Sequence, residues 1–242
     1  APVFAVISTR VLPTLLLIVP SVVLSTFFGI VLGMLTVRFK SYTVGIGIPI
    51  LATIIYALPT FWLGLMMIIV FSVLLGWLPV SGRGETKILL GIESSIFTLD
   101  GLKHLIMPAT NLAFFKIAMV IRLARAGTVE VMSLDFIKFA RARGLPSKSI
   151  IRYHLLPNIL IPIITVLAIE FGTLIAFATV TETIFAWPGL GKLVIDAIIN
   201  LDRPIVVAYL LFVVTLFLIL NLFVDIIYAA LDPRIRLDGS DQ

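Results

Sequence analysis

Of 242 residues, 60% are hydrophobic and 13% are charged, and the mean hydropathy is +1.19. A soluble domain carries about 25% charged residues, so this composition excludes a soluble enzyme domain. The sequence has no cysteine, which excludes disulfides, thiolate metal sites and cysteine nucleophiles. The net charge of +5 is distributed unevenly, and in a chain this apolar the asymmetry reports orientation in a membrane rather than binding to nucleic acid.

A helix needs about 20 predominantly apolar residues to cross about 30 Å of hydrocarbon. Five segments meet that need, at about 11–37, 44–75, 105–123, 159–185 and 205–231. The runs are long and continuous, without alternating polarity, so they read as helices rather than strands. The expected fold is an all-α integral membrane protein, a polytopic bundle forming one domain over 1–242. The first span, about 40 Å long at 1.5 Å per residue, exceeds the hydrocarbon thickness and predicts tilt or an interfacial extension.

Charges between the spans orient them. Arg38 and Lys40 follow the first span without an acid, and the linker between the third and fourth spans carries Arg122, Arg125, Lys138, Arg141, Arg143, Lys148 and Arg152 against Glu130 and Asp135. Short loops rich in Lys and Arg stay inside. Residues 38–43, 124–158 and the tail from Asp232 are therefore expected inside, and 76–104, 186–204 and the N-terminus outside. An outside N-terminus without a signal segment predicts that a span precedes this sequence.

The linker carries the most specific pattern. Residues 133–143 read as a short amphipathic helix capped by Ser133 or Asp135, with Arg141 and Arg143 in its last turn. Gly144 sits at the natural end position, Pro146 stops continuation, and Ser147 can cap a second helix leading through Leu156 and Pro157 into the fourth span. Such an elbow fits a groove on a cytoplasmic partner.

The stretch FKFARARGLPSKSIIRYHLLPNILIP resembles the EAA loop of permease subunits of ATP-binding-cassette importers. Gly144 stands thirteen residues before Pro157, small Ala140 stands four before the glycine, and Leu156 precedes the proline. Lys138 replaces the family's acid and His154 its isoleucine; a basic residue at the first position is ordinary in the oligopeptide/dipeptide/nickel branch. Arg10-Val-Leu-Pro-Thr14, Phe185-Ala-Trp-Pro-Gly-Leu-Gly191 and Leu231-Asp-Pro-Arg-Ile-Arg236 resemble the same branch. Its members usually have six spans, one more than this chain.

The resemblance implies an ABC type I importer-like fold with a cytoplasmic coupling helix, in a bacterial or archaeal inner membrane. It implies a second permease subunit (a heterodimer), two ATPase subunits that use ATP and Mg, and an extracytoplasmic binding protein. No G-x-x-x-x-G-K-[ST] loop occurs, so this chain is expected to bind no cofactor and to catalyse nothing itself. Ala140, Arg141, Arg143, Gly144, Leu145, Leu156 and Pro157 are the expected ATPase-coupling residues. Trp187, Pro188 and Gly189 are expected near the docking site of the binding protein. Di- or oligopeptides are the expected cargo, with oligosaccharide, nickel or glutathione as alternatives within the branch. The rival from another class is an ion-coupled secondary transporter, which calls for inverted repeats.

Charges inside spans are functional candidates by default, because a central charge costs about 2.5–3.5 kcal/mol on insertion scales. Glu170, Glu182 and Asp225 are therefore candidates for the translocation path. Lys116 is expected to snorkel toward Arg122 and the inner surface. The prolines of spans one, two and four and Gly29, Gly33, Gly45, Gly47 and Gly64 read as helix-packing positions in preference to hinges. His104 and His154 are isolated, so no metal site is expected.

Overall fold

The computed structural model describes residues 3–39, 42–89 and 92–231. In chain order these form α1 (Val3–Arg38), a π-helical turn (Tyr42–Ile46), α2 (Gly47–Ala57) and α3 (Thr60–Met67), which continues as a π-helical stretch (Ile68–Leu74). A hairpin of β1 (Lys87–Leu89) and β2 (Ile92–Ser94) and a 3₁₀ turn (Ser95–Phe97) lead to α4 (Leu99–Ser133). Then come α5 (Asp135–Ala142), α6 (Ser147–Ile150), a π-helical turn (Ile151–Leu155), α7 (Leu156–Ile169), α8 (Phe171–Ile184), α9 (Leu190–Ile199) and α10 (Arg203–Leu231). The hairpin is antiparallel, with Lys87 opposite Ser94 and Ile88 opposite Glu93.

The bundle is organised around α4. Along α1, Gly29 lies against Val120 and Gly33 against Ala124, so α1 and α4 run parallel. A Cβ at either glycine would come within 2.6 Å of a side-chain carbon on α4. This G-x-x-x-G spacing lets two backbones approach as small residues do in membrane bundles. The arm α7–α8 runs antiparallel to α4, because Gly127 meets Ile159 and Asn111 Nδ2 donates to Thr181 Oγ1. Hydroxyls inside the bundle bond back to their own helices, as with Ser21 to the Ile18 carbonyl, Thr36 to Gly33 and Thr128 to Ala124. Such bonds keep polar groups satisfied where water is absent.

Two ends are distinct. At the loop end, Gly82 N–H donates to the Phe185 carbonyl at 2.8 Å, joining the first connection expected outside to the end of α8. At the basic end, Arg125 Nη1 donates to the Gly45 carbonyl at 3.1 Å, joining α4 to the π-helical turn just past the first connection expected inside.

Helix limits depart from the hydropathy pattern in four places. α1 begins at Val3 rather than near 11. The run 44–75 is two helices bent by 101°: Leu58 is extended (ψ 136°) and Pro59 follows it, as expected of a residue held off the helical region by a following proline. The apolar run 105–123 is only the middle of α4, which starts earlier because Thr98 Oγ1 accepts from Gly101 N–H at 3.0 Å. It also extends ten residues into the stretch 124–158, read from sequence as linker. Finally, the run 159–185 is interrupted at Glu170, which ends α7 and precedes α8. α10 holds the limits expected of the fifth segment to within two residues.

Candidate functional site

At the basic end, Leu134 is extended (ψ 150°) and turns the chain from α4 into α5. Neither Ser133 nor Asp135 caps α5, and Pro146 rather than Ser147 holds the cap position of α6. Asp135 instead sits in the first turn of α5, where a carboxylate suits the helix dipole, and accepts from Lys138 Nζ at 2.8 Å. α5 ends in a Schellman motif: Gly144 N–H donates to the Arg141 carbonyl at 2.9 Å and Leu145 N–H to Ala140 at 3.2 Å. Gly144 has φ +76°, the left-handed conformation for which glycine is the usual residue.

The elbow has two faces. Ile137 and Ala140 are buried, packed in a cluster with Val131, Ile150, Leu155 and Ile159. Ala140, read from sequence as part of the docking turn, therefore backs the elbow against the bundle. Arg141, Arg143, Gly144 and Leu145 are exposed, as are Phe136 and Phe139. The Arg143 guanidinium lies 4.6 Å from the centre of the Phe139 ring. Leu156 is half-buried against the same cluster, and Pro157 is exposed. The π-helical turn just before Leu156 accommodates Pro157, which has no N–H to continue the helical ladder. Residues 135–152 contain five cations and one acid, so the outward face is basic and partly aromatic.

Midway along α4, Lys116 is buried and does not snorkel. Its Nζ donates to Glu170 Oε2 and to Thr173 Oγ1 at 2.9 Å, and Thr173 Oγ1 donates to the same carboxylate oxygen at 2.8 Å. Buried charge is tolerable here because it is paired and hydrogen-bonded. Glu170 sits at the α7–α8 break, so the pair ties α4 to the one irregular point of the facing arm. The side chain of Asp225 lies outside the described residues, as do residues 232–236 of the terminal motif.

At the loop end a polar knot joins α1, α8 and α9. Glu182 is fully buried; its Oε1 accepts from Thr14 Oγ1 at 2.7 Å, and its Oε2 from Lys192 N–H at 3.0 Å. Thr14 Oγ1 in turn accepts from Leu190 N–H at 2.7 Å. A carboxylate and a hydroxyl from other helices thus occupy the N-terminus of α9, where N–H groups lack helical partners and the dipole favours a negative charge. Gly189 and Gly191 are small because a Cβ would run into the Glu182 carboxylate and Thr179 respectively. Trp187 is wholly buried, and its indole N–H donates to the Pro13 carbonyl at 2.8 Å. Arg10 Nη1 donates to the Pro188 carbonyl at 3.2 Å. Of the three residues expected near a docking surface, Trp187 and Gly189 are therefore internal anchors, and Pro188 is half-buried. Glu182, a path candidate from sequence, is a cap within this chain.

The hairpin region was invisible to hydropathy. Arg83 Nη2 donates to the Glu93 carbonyl at 2.9 Å and Thr86 Oγ1 to Glu93 Oε1 at 2.7 Å. Burial holds the Arg83 guanidinium below its ordinary pKa, with Glu93 opposing the shift and Arg10 adding to it. Among the described residues no group of three or more His, Cys, Asp or Glu side chains is placed to hold a metal ion.

A family model described as "binding-protein-dependent transport system inner membrane component" matches residues 25–237. The Di/tripeptide transport system permease protein DppB of Pseudomonas aeruginosa (strain UCBPP-PA14) is 40% identical over 222 residues, covering 86% of this chain and 66% of that protein. The Dipeptide transport system permease protein DppB of Escherichia coli (strain K12) is 36% identical, covering 97% and 74%. The Oligopeptide transport system permease protein AppB of Bacillus subtilis (strain 168) is 38% identical, covering 97% and 72%. The chain thus spans about two thirds to three quarters of the length of these relatives. A chain of the inward-facing MetNI methionine ABC transporter superposes with a TM-score of 0.68 at 20% identity, covering 96% of this chain and 98% of that one. A chain of an amino acid ABC transporter solved with histidines gives 0.62 at 14% identity, covering 96% and 95%. The architecture is that of type I ABC importer permeases.

Proposed function

Since this chain belongs to the family of binding-protein-dependent transport system inner membrane components, we propose that it is the multi-pass permease subunit of an importer for di- or oligopeptides. It pairs with a second permease subunit, receives cargo from an extracytoplasmic binding protein and is driven by two separate ATPase subunits. Peptide cargo is supported by the names of the 36–40% identical relatives. The chain itself hydrolyses nothing and needs no cofactor; ATP and Mg act on its partners. Residues 38–43 and 124–158 then face the cytoplasm of a bacterial or archaeal cell.

The observation that carries the coupling role is the two-faced elbow. Ile137 and Ala140 lock it to the bundle, while Arg141, Arg143 and Leu145 are turned out to solvent around the left-handed turn at Gly144. A short helix that is firmly packed on one side and basic on the other transmits a push without deforming, and it fits an acidic groove on an ATPase. Movement of α5 and α6 passes directly to α4 and α7 through the shared cluster, giving alternating access.

The double variant Arg141→Glu/Arg143→Glu tests this in the reconstituted complex. Both side chains are exposed, so the permease should fold and insert normally. Peptide uptake and the stimulation of ATPase activity by loaded binding protein should each fall about tenfold or more, as reversal of close charge pairs at an interface predicts. Full stimulation and uptake in the double variant would place the ATPase contact elsewhere.

A further inference from the structure

The outward faces of α1 and α10 are mostly apolar. α1 exposes Leu15, Val19, Val23 and Phe27, and α10 exposes Leu210, Leu211, Val214 and Leu218. These faces suit lipid. Between α2, α4 and the α7–α8 break the surface is different. The Glu170 side chain is one-third exposed (33%), and its Oε1 makes no hydrogen bond within the described residues. Phe115 packs 3.8 Å from Phe177, ring centre to ring centre, and stacks on Tyr56 at 6.1 Å. The Arg122 guanidinium also lies over that tyrosine, 5.8 Å from its ring centre, and has no acidic partner among the described residues. Below Arg122 a groove of about 620 Å³ runs toward the basic end between Pro49 and the α4 residues Arg122, Arg125, Ala126, Val129 and Glu130.

Charges exposed at this depth are strongly disfavoured against lipid and face protein or a water-filled cavity. The groove volume lies in the range of small-molecule sites. The seam also has a polarity: an acid held at the helix break, aromatic rings below it, and arginines beyond them. Lys116 and Arg122 are six residues apart, about 9 Å along α4, close to the length of about three extended residues.

We propose that this seam grips the two charged ends of a short peptide in transit, its α-ammonium on Glu170 Oε1 and its α-carboxylate on the Arg122 guanidinium. Tyr56 and Phe115 line the stretch between and accept side chains without selecting them. Lys116 does not touch the cargo; it holds Glu170 in place and offsets its charge, so the ammonium is bound weakly enough to leave. The peptide travels with its carboxyl end toward the basic end. This inference rests on the proposed peptide cargo and adds the residues that meet it.

These 242 residues hold no cysteine, so single cysteines introduced here allow a direct test in the full transporter complex in proteoliposomes, its other cysteines replaced, probed with a membrane-impermeant cationic methanethiosulfonate. Tyr56→Cys and Ala126→Cys should be labelled about tenfold or more faster than the lipid-facing Val19→Cys and Leu218→Cys, since only the seam meets water. A transported tripeptide, delivered by its binding protein with ATP present, should slow labelling of the seam positions alone. Adding Arg122→Gln, an exposed change that leaves the packing intact, should abolish that protection and lower maximal uptake about tenfold, the equivalent of one lost charge-assisted contact. The double variant Glu170→Gln/Lys116→Met, which removes the acid without leaving a buried lysine unpaired, should act likewise, with ATPase stimulation by loaded binding protein retained.

Labelling of Tyr56→Cys and Ala126→Cys as slow as at the lipid-facing positions would show the seam to be covered by lipid or by the second permease subunit, and would overturn the proposal. Fast labelling without protection overturns it too, as does unchanged protection in Arg122→Gln. Failure of the unmodified complex to take up any peptide would instead overturn the peptide reading, whatever the seam cysteines do.

Discussion

At Gly144 and at Ala186 the chain leaves a helix by the same pair of backbone hydrogen bonds. At the first, Leu145 N–H reaches the Ala140 carbonyl at 3.2 Å; at the second, Trp187 N–H reaches Glu182 at 2.8 Å. Both turns use a left-handed residue, Gly144 with φ +76° and Ala186 with φ +47°. The next side chain goes opposite ways. Leu145 is exposed among arginines, whereas Trp187 is wholly buried and bonded to Pro13. The basic-end turn uses glycine and meets no steric cost, leaving its side chains free for a partner. At the loop end an alanine occupies a conformation costing an L-residue roughly 1–2 kcal/mol, and the buried tryptophan and glutamate offset that strain. One backbone device therefore serves an outward contact at one end and an inward lock at the other.

The contrast breaks first at Trp187. Trp187→Ala removes a fully buried indole and should destabilise the permease by about 3–5 kcal/mol, read as a large fall in the midpoint of thermal unfolding in detergent. Trp187→Phe, which keeps most of the packing and loses the bond to Pro13, should cost about 1 kcal/mol plus the smaller ring's lost contacts. A small effect from the alanine variant would mean that the loop end is not locked by this residue. Glu182→Gln comes next: the amide keeps one acceptor but sets its NH₂ against the donors of Thr14 or Lys192, leaving about 1–3 kcal/mol of unsatisfied polar burial. If instead Glu182 faces cargo, the same variant should unfold normally and fail only in uptake.

The sequence made most of the bundle legible, because apolar runs of membrane length have few alternatives to helix. It also placed the elbow, since glycine and proline punctuate backbone directly and Gly144 has the φ its position implied. It could not show direction. Ala140 and Trp187 belong to recognisable motifs, yet whether such residues face a partner or their own bundle depends on which way α5 and the 185–189 turn roll, and no local pattern encodes that. The bend at Leu58–Pro59 was hidden because hydropathy is blind to backbone, although the X-Pro restriction marked it. The Lys116–Glu170 pair went unseen for another reason: 54 residues separate the partners, and only the antiparallel course of α4 against α7–α8 brings them together. For a lysine read alone, snorkelling was the reasonable expectation.

The finest test of the contrast exchanges the two turn residues. Gly144→Ala puts a Cβ into open space, with nothing within 4 Å, so its cost is conformational only, about 1 kcal/mol. Gly144→Asn should cost less, because asparagine tolerates the left-handed region better than alanine. Ala186→Gly relieves roughly 1–2 kcal/mol of strain and gives back about 0.5–1 kcal/mol in chain entropy, for a net gain of about 0.5–1 kcal/mol. Thermal unfolding midpoints should therefore move in opposite directions for the two substitutions. Uptake should respond differently again: Gly144→Ala disturbs the face presented to the ATPase and should slow transport beyond its effect on stability, while Ala186→Gly should leave the rate unchanged. If Ala186→Gly destabilises as much as Gly144→Ala does, alanine is under no strain at the loop end, and the burial of Trp187 has nothing there to offset.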